Sequence, residues 1–109
     1  MAGNRRIKLR DPMGAVFVSG SSLGRGMVHD VSLGGLFLRS PLLPPTGAPI
    51  VATLTTPTGD QVAVRGIVQW NTASASVPLS VTGFGVRVAR PCQAYLGLVS
   101  RQIAEDDAR

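Results

Sequence analysis

Along QVAVRGIVQW, residues 61–70, Val62, Val64, Val68 and Trp70 fall on one side of a two-residue repeat. Gly66 lies between them, and Arg65 and Gln69 fall on the other side. Such alternation is the signature of a half-buried strand with one face on a core. TGFGVRVAR, residues 82–90, repeats it, with Phe84, Val86 and Val88 opposite Gly83, Gly85, Arg87 and Ala89. In IVATLTT, residues 50–56, Ile50, Ala52 and Leu54 share one side, and Val51, Thr53 and Thr55 share the other. Three more short runs are bounded by glycine or serine and read as strands: MGAVFVSG (13–20), MVHDVS (27–32) and GLFLRS (35–40). Between them SSLGRG (21–26) reads as a hairpin connection and PTGD (57–60) as a turn, with NTASASVPLS (71–80) a polar loop. PLLPPTGAP (41–49) holds too much proline for either regular structure.

After Pro91 the period changes. Tyr95, Leu96, Val99 and Ile103 recur at helical spacing and predict an amphipathic helix within residues 91–109. Gly97 weakens it by about 1 kcal/mol relative to alanine. Glu105, Asp106 and Asp107 oppose the helix dipole, so its last residues are expected to fray. Residues 1–12 are polar and basic, show no clear periodicity, and read as a flexible arm. The expected architecture is mainly β: one domain, with a six-stranded antiparallel β-barrel over residues 13–90 and a C-terminal α-helix over 91–109. Closure of the barrel removes the exposed edges that an open sheet leaves.

Length and composition agree with a single core: 109 residues, with 13 glycines and 8 prolines that favour many turns over long helices. The formal charge of +5 is uneven, since Arg5, Arg6, Lys8 and Arg10 crowd the first ten residues. A basic arm suits an anionic partner such as a nucleotide, a nucleic acid or a membrane surface, or is simply solvated. One cysteine, Cys92, and one histidine, His29, leave no intrachain disulfide and too few ligands for a zinc site. No nucleophile elbow, P-loop or H-E-x-x-H is present, so an enzyme is not expected. Single-stranded nucleic-acid binding needs exposed aromatics. The supply is Phe17, Phe37, Trp70, Phe84 and Tyr95, of which Trp70, Phe84 and Tyr95 fit core positions, so no nucleic-acid partner is expected. No apolar run approaches the roughly 18 residues of a bilayer span, so a cytoplasmic protein without membrane insertion is expected.

The stretch HDVSLGGLF, residues 29–37, places an acid, a hydroxyl and two adjacent glycines before an apolar run. Asp30, Ser32 and Gly35 form D-x-S-x-x-G, and Arg6 and Arg10 upstream form R-x-x-x-R. In this order and spacing the two motifs resemble the signatures of the PilZ domain family. The resemblance continues through GGLFLR, VRGIVQW and GFGVRV and covers essentially the whole chain. It implies a six-stranded barrel that acts as a bacterial receptor for cyclic di-GMP, with no other cofactor. Arg6 and Arg10 would lie on a mobile arm that folds over the ligand, and Asp30, Ser32 and Gly35 would complete the site on the barrel surface. Arg5 and Gly34 are secondary candidates. A downstream protein partner is implied as well, and the oligomeric state is left open.

The chemistry fits those residue types. An arginine fork donates to guanine O6 and N7 together, and its plane stacks on a purine. Asp30 can accept from guanine N1–H and the exocyclic amine, which arginine cannot do. Ser32 can serve base or phosphate, and Gly34 and Gly35 let a flat ligand approach the backbone. The competing local reading has Asp30 and Ser32 bonding backbone amides in a turn. The competing function is a PilZ-fold adaptor that binds protein and no nucleotide. Lys8 reads as solvated, His29 as a bystander in its strand, and Trp70 as packing.

Overall fold

Ile50, Ala52 and Leu54 are buried, as their alternation predicts, while Val51 and Thr55 face out. They belong to strand β4, Pro49–Thr55. The computed structural model describes residues 5–73 and 77–108. The first four residues of the expected arm, residues 74–76 of the polar loop and residue 109 lie outside the described residues. The other strands are β1 (Ile7–Ser19), β2 (Ser22–Ser32), β3 (Gly35–Arg39), β5 (Gln61–Asn71) and β6 (Gly83–Val88). All pairings are antiparallel, and the strands close into a barrel in the order β1-β2-β3-β6-β5-β4. The core is made by their inward residues. Phe17 meets Phe84 edge to face at 5.1 Å, and Leu38, Leu54 and Val68 are fully buried. Helix α1, Gln93–Asp107, follows the last strand and packs against β1 and β5. The mainly-β barrel with one C-terminal helix is thus the observed architecture.

Four expectations change. First, the basic arm does not run to residue 12, because β1 begins at Ile7. Ile7 and Leu9 are buried in the core while Lys8 and Arg10 are exposed, so IKLR already alternates with a period of two. Pairing with β2 is lost between Lys8 and Met13, around Pro12, which has no backbone N–H to give. Second, most of the expected connection at 21–26 is strand. Ser19 pairs with Ser22 around a two-residue turn whose first central residue, Gly20, has φ 60°.

Third, Trp70 is not core. A one-residue irregularity falls between Val68 and Trp70, since Val68 pairs with Val86 but Trp70 with the very next residue back, Gly85. The extra residue, Gln69, reverses the parity of the strand and turns Trp70 outward, 46% exposed. Fourth, the buried helix positions are Tyr95, Leu98 and Val99, with Leu96 exposed. Helix α1 runs to Asp107, and at its acidic end Arg5 donates to Asp106 and Asp107 at 2.8 Å and 2.6 Å.

Candidate functional site

Strand β2 carries the same device as β5. Val28 pairs with Leu38 and Asp30 with Phe37, so His29 is an extra residue opposite β3. Both Val28 and Val31 can then point inward although they are three residues apart, and Asp30 is turned outward. Pairing therefore aligns Lys8, Asp30, Phe37, Gly85 and Trp70 across β1, β2, β3, β6 and β5. Phe37 and Trp70 stack with ring centroids 5.2 Å apart and planes 13° from parallel. Trp70 lies directly over Gly85, where a Cβ would collide with the indole. Two bulges thus bring an acid and an aromatic pair to one patch of the barrel surface.

Beside this patch is a hollow of about 410 Å³, a size in the range of small-molecule sites. Arg6, Ser32, Gly34 and Gly35 line it on one side, and Gln69, Trp70 and Arg87 on the other. Arg6 donates to Asp30, so the first arginine of R-x-x-x-R and the acid of D-x-S-x-x-G already meet. Such a solvent-facing pair contributes only about 0–1 kcal/mol, so a ligand that satisfies both partners can open it at little cost.

Arg10 is elsewhere. It lies with Asp11 in the unpaired stretch of β1 and lines a separate hollow of about 600 Å³, shared with Asp60 and with Arg101 and Glu105 of α1. Arg5 is turned to the end of α1 rather than to Asp30. Asp11 forms no ion pair among the described residues.

The two smaller motif residues have local partners. Ser32 is buried, and its hydroxyl donates to the Gly35 carbonyl at 3.3 Å, closing the β2–β3 turn. That bond runs to a carbonyl, not to the amide that the local reading of the sequence expects, and Asp30 bonds Arg6 instead of an amide. At Gly35 a Cβ would stand 2.5 Å from the Val86 carbonyl oxygen. Close approach of β3 to β6 is a sufficient reason for this glycine, independent of any ligand.

The turn is fixed from beneath by α1. The buried Tyr95 hydroxyl donates to the carbonyls of Ser32 and Gly35 at 2.8 Å and 3.0 Å. Burial pushes its pKa well above the usual phenol range, so it stays a donor. His29 is held below its ordinary 6.5 by partial burial and by the Arg39 charge. It is therefore neutral near pH 7.

Gln69, Trp70 and Arg87 line the hollow without being site candidates from sequence, although periodicity had already turned Gln69 and Arg87 outward. Strict alternation put Trp70 on the wrong face, and only the bulge reverses it. A signal did exist in β2: VHDV cannot place both valines inward under strict alternation, so an extra residue was already implied there. Among the described residues no group of three or more His, Cys, Asp or Glu could hold a metal. No helix among them is long and apolar enough to cross a membrane.

Two solved structures are similar to this chain. The Bacillus subtilis inhibitor of motility, MotI/DgrA, superposes with a TM-score of 0.74 at 12% identity, over 97% of this chain and 52% of that one. The chain thus spans about half the length of that protein. The PilZ domain of CeSA from a cellulose synthesizing bacterium gives a TM-score of 0.63 at 12% identity, over 94% of this chain and 99% of that domain. At such identity these likenesses speak for the fold. No curated protein matches significantly. The sequence model of the PilZ domain matches residues 4–91, both motifs included, and on that match the chain belongs to the PilZ domain family.

Proposed function

We propose that this domain binds cyclic di-GMP at the hollow beside β2 and β3, and acts as a receptor rather than an enzyme. One observation carries the reading: in a chain of this family, Arg6, Ser32, Gly34 and Gly35 line a single surface hollow, with Asp30 held at Arg6. Arg6 and Arg10 read the guanine edge and stack on the bases, and Asp30 accepts from the Watson–Crick edge that arginine leaves unpaired. Trp70 offers a face for a base at the rim. Arg87 adds positive charge for phosphate.

Arg10 must be re-aimed to join the site. It lies where β1 is unpaired from β2, so no ladder hydrogen bonds to β2 have to break there. Ile7 and Lys8 remain paired to Val31 and Asp30, so the moving part of the arm is the segment around Arg10 rather than the whole of residues 1–12. Its rearrangement carries the signal to a downstream protein.

Calorimetric titration with cyclic di-GMP tests the reading. A dissociation constant on the order of micromolar or tighter, about −8 kcal/mol, is expected. Cyclic di-AMP should bind far more weakly, because adenine reverses the donor–acceptor pattern. The rival reading, an adaptor that binds no nucleotide, draws on the placement of Arg10 in the other hollow. A flat titration at high micromolar concentrations would decide for it.

A further inference from the structure

Strands β2, β1 and β4 form the half of the ring opposite β3, β6 and β5. Pairing sets their outward residues in three rows. Leu23, Val18 and Val51 make the first, Arg25, Val16 and Thr53 the second, and Met27, Gly14 and Thr55 the third. The intervening residues Ala15, Phe17, Ala52 and Leu54 are buried, so the fold itself fixes which side faces out. Val16, Val18, Leu23, Met27 and Val51 are between 42% and 70% exposed. Scattered apolar residues on a surface need no explanation, but five contiguous ones across three strands mark an interaction surface.

Gly14 adds an independent observation. A Cβ there would meet nothing within 4 Å, and its φ is not positive. Neither packing nor backbone conformation calls for glycine at this position. Its bareness leaves a notch of about 430 Å³ beside Val16, Met27 and Thr55.

The charges on and directly beside the three rows are basic, and the nearest acids along β1 and β5, Asp11 and Asp60, lie beyond the third row. Arg25 sits in the middle row, Arg39 pairs beside Met27, and Arg65 pairs beside Val51. Arg25 and Arg65 are exposed, and neither meets a carboxylate among the described residues. The nearest acid along β4 and β5, Asp60, is tied into their turn by Thr56 and Thr58. The closed ring offers no free edge, so an occupant cannot add a strand and must bring its own apolar side chains. Three rows span roughly 14 Å along the strands, the length of about nine helical residues.

We propose that this face docks an acidic amphipathic helix of a partner protein. Its apolar stripe lies on Leu23, Val18, Val51 and Val16, one side chain enters the notch at Gly14, and its carboxylates meet Arg25 and Arg65. The face is separate from the nucleotide hollow, and the proposal does not rest on nucleotide binding.

The probe is a synthetic helical peptide with leucines at i, i+3, i+4 and i+7 and glutamates elsewhere. It is compared with a twin carrying lysine for glutamate, with anionic lipid vesicles, and with the protein alone over a concentration series. Methyl NMR reports the site and fluorescence polarisation the affinity. Saturable binding of the acidic peptide should shift the methyls of Val16, Val18, Leu23, Met27 and Val51. Val18→Asp and the double change Arg25→Glu, Arg65→Glu should each weaken it at least tenfold. Gly14→Ala should weaken it severalfold with the thermal midpoint preserved. None of these changes should alter a cyclic di-GMP titration. If Val18→Asp fails to fold, the arginine pair carries the comparison. The proposal is overturned if the acidic peptide does not bind, or if the lysine twin binds equally. Vesicle binding or self-association through the same methyls overturns it too, the first pointing to a membrane and the second to a copy of this chain.

Discussion

Arg6 and Arg10 share one motif but stand in different surroundings, Arg6 at Asp30 and Arg10 in the hollow against α1. Replacing either by lysine keeps the charge and removes the planar fork. If the forks read guanine, each change should cost about 1–3 kcal/mol, roughly 5- to 150-fold in cyclic di-GMP affinity by calorimetry. Lys8→Ala removes charge from the same strand outside the motif and should be mild. The reverse order would sink the assignment of the two arginines even if the nucleotide binds. Gly35 makes a different case. Gly35→Ala forces a Cβ against the Val86 carbonyl, a backbone atom that cannot step aside. A loss of about 1–3 kcal/mol in urea unfolding is expected, before any effect on ligand. Gly14→Ala, with open space around its Cβ, should leave stability unchanged or slightly higher.

Among elements, the β2–β3 turn and helix α1 act together. Tyr95 supplies one hydroxyl to two carbonyls of the turn, the Ser32 and Gly35 oxygens. Tyr95→Phe keeps the ring in the core and removes that donor, leaving two acceptors without it. Urea unfolding should register a loss of about 1–3 kcal/mol, and amide exchange should quicken first at the turn. Unchanged exchange there would mean that the turn is held by its strands alone. Strand β5 gives an optical test. Trp70 is the only tryptophan in the chain and borders the hollow. Cyclic di-GMP should therefore change its emission saturably, with the midpoint found by calorimetry. A spectrum that stays constant while calorimetry records binding would place the ligand away from this rim.

At the scale of the whole molecule, the two ends of the described chain are clasped by Arg5 with Asp106 and Asp107. The bond from Arg5 holds the Asp107 carboxyl below its ordinary 3.8. Its contribution is therefore fully present above that value and is lost as the pH falls through the lowered one. Carboxyl carbon shifts followed from about pH 6 to about pH 2 should place the Asp107 midpoint below 3.8, and Arg5→Gln should return it there. Equal midpoints in the two proteins would mean that the clasp does not form in solution. Helix α1 should survive its opening, because Tyr95, Leu98 and Val99 anchor it in the core. Ligand should slow amide exchange most at Leu9, Arg10 and Asp11, where β1 is unpaired, and little in β5.

The elements and the two motifs were legible because local chemistry writes them directly. A two-residue apolar repeat has one core-facing reading, and so β4, β6 and most of β5 could be placed from sequence. The start of β1 was legible too, since Ile7 and Leu9 alternate with Lys8 and Arg10, but the density of charge concealed the strand. Tertiary structure alone decided the orientation of Trp70, the separation of Arg10 from Asp30, and the buried role of Ser32. The first two depend on register between neighbouring strands, and the third on the Gly35 carbonyl and on helix α1 packed beneath the turn. One extra residue at His29 or Gln69 costs nothing in local propensity, yet it reverses which face every following side chain joins. Alternation along one strand carries no record of what its neighbour opposes to it. The bare Gly35 shows the same limit, because its reason is a carbonyl on β6, some fifty residues further along the chain.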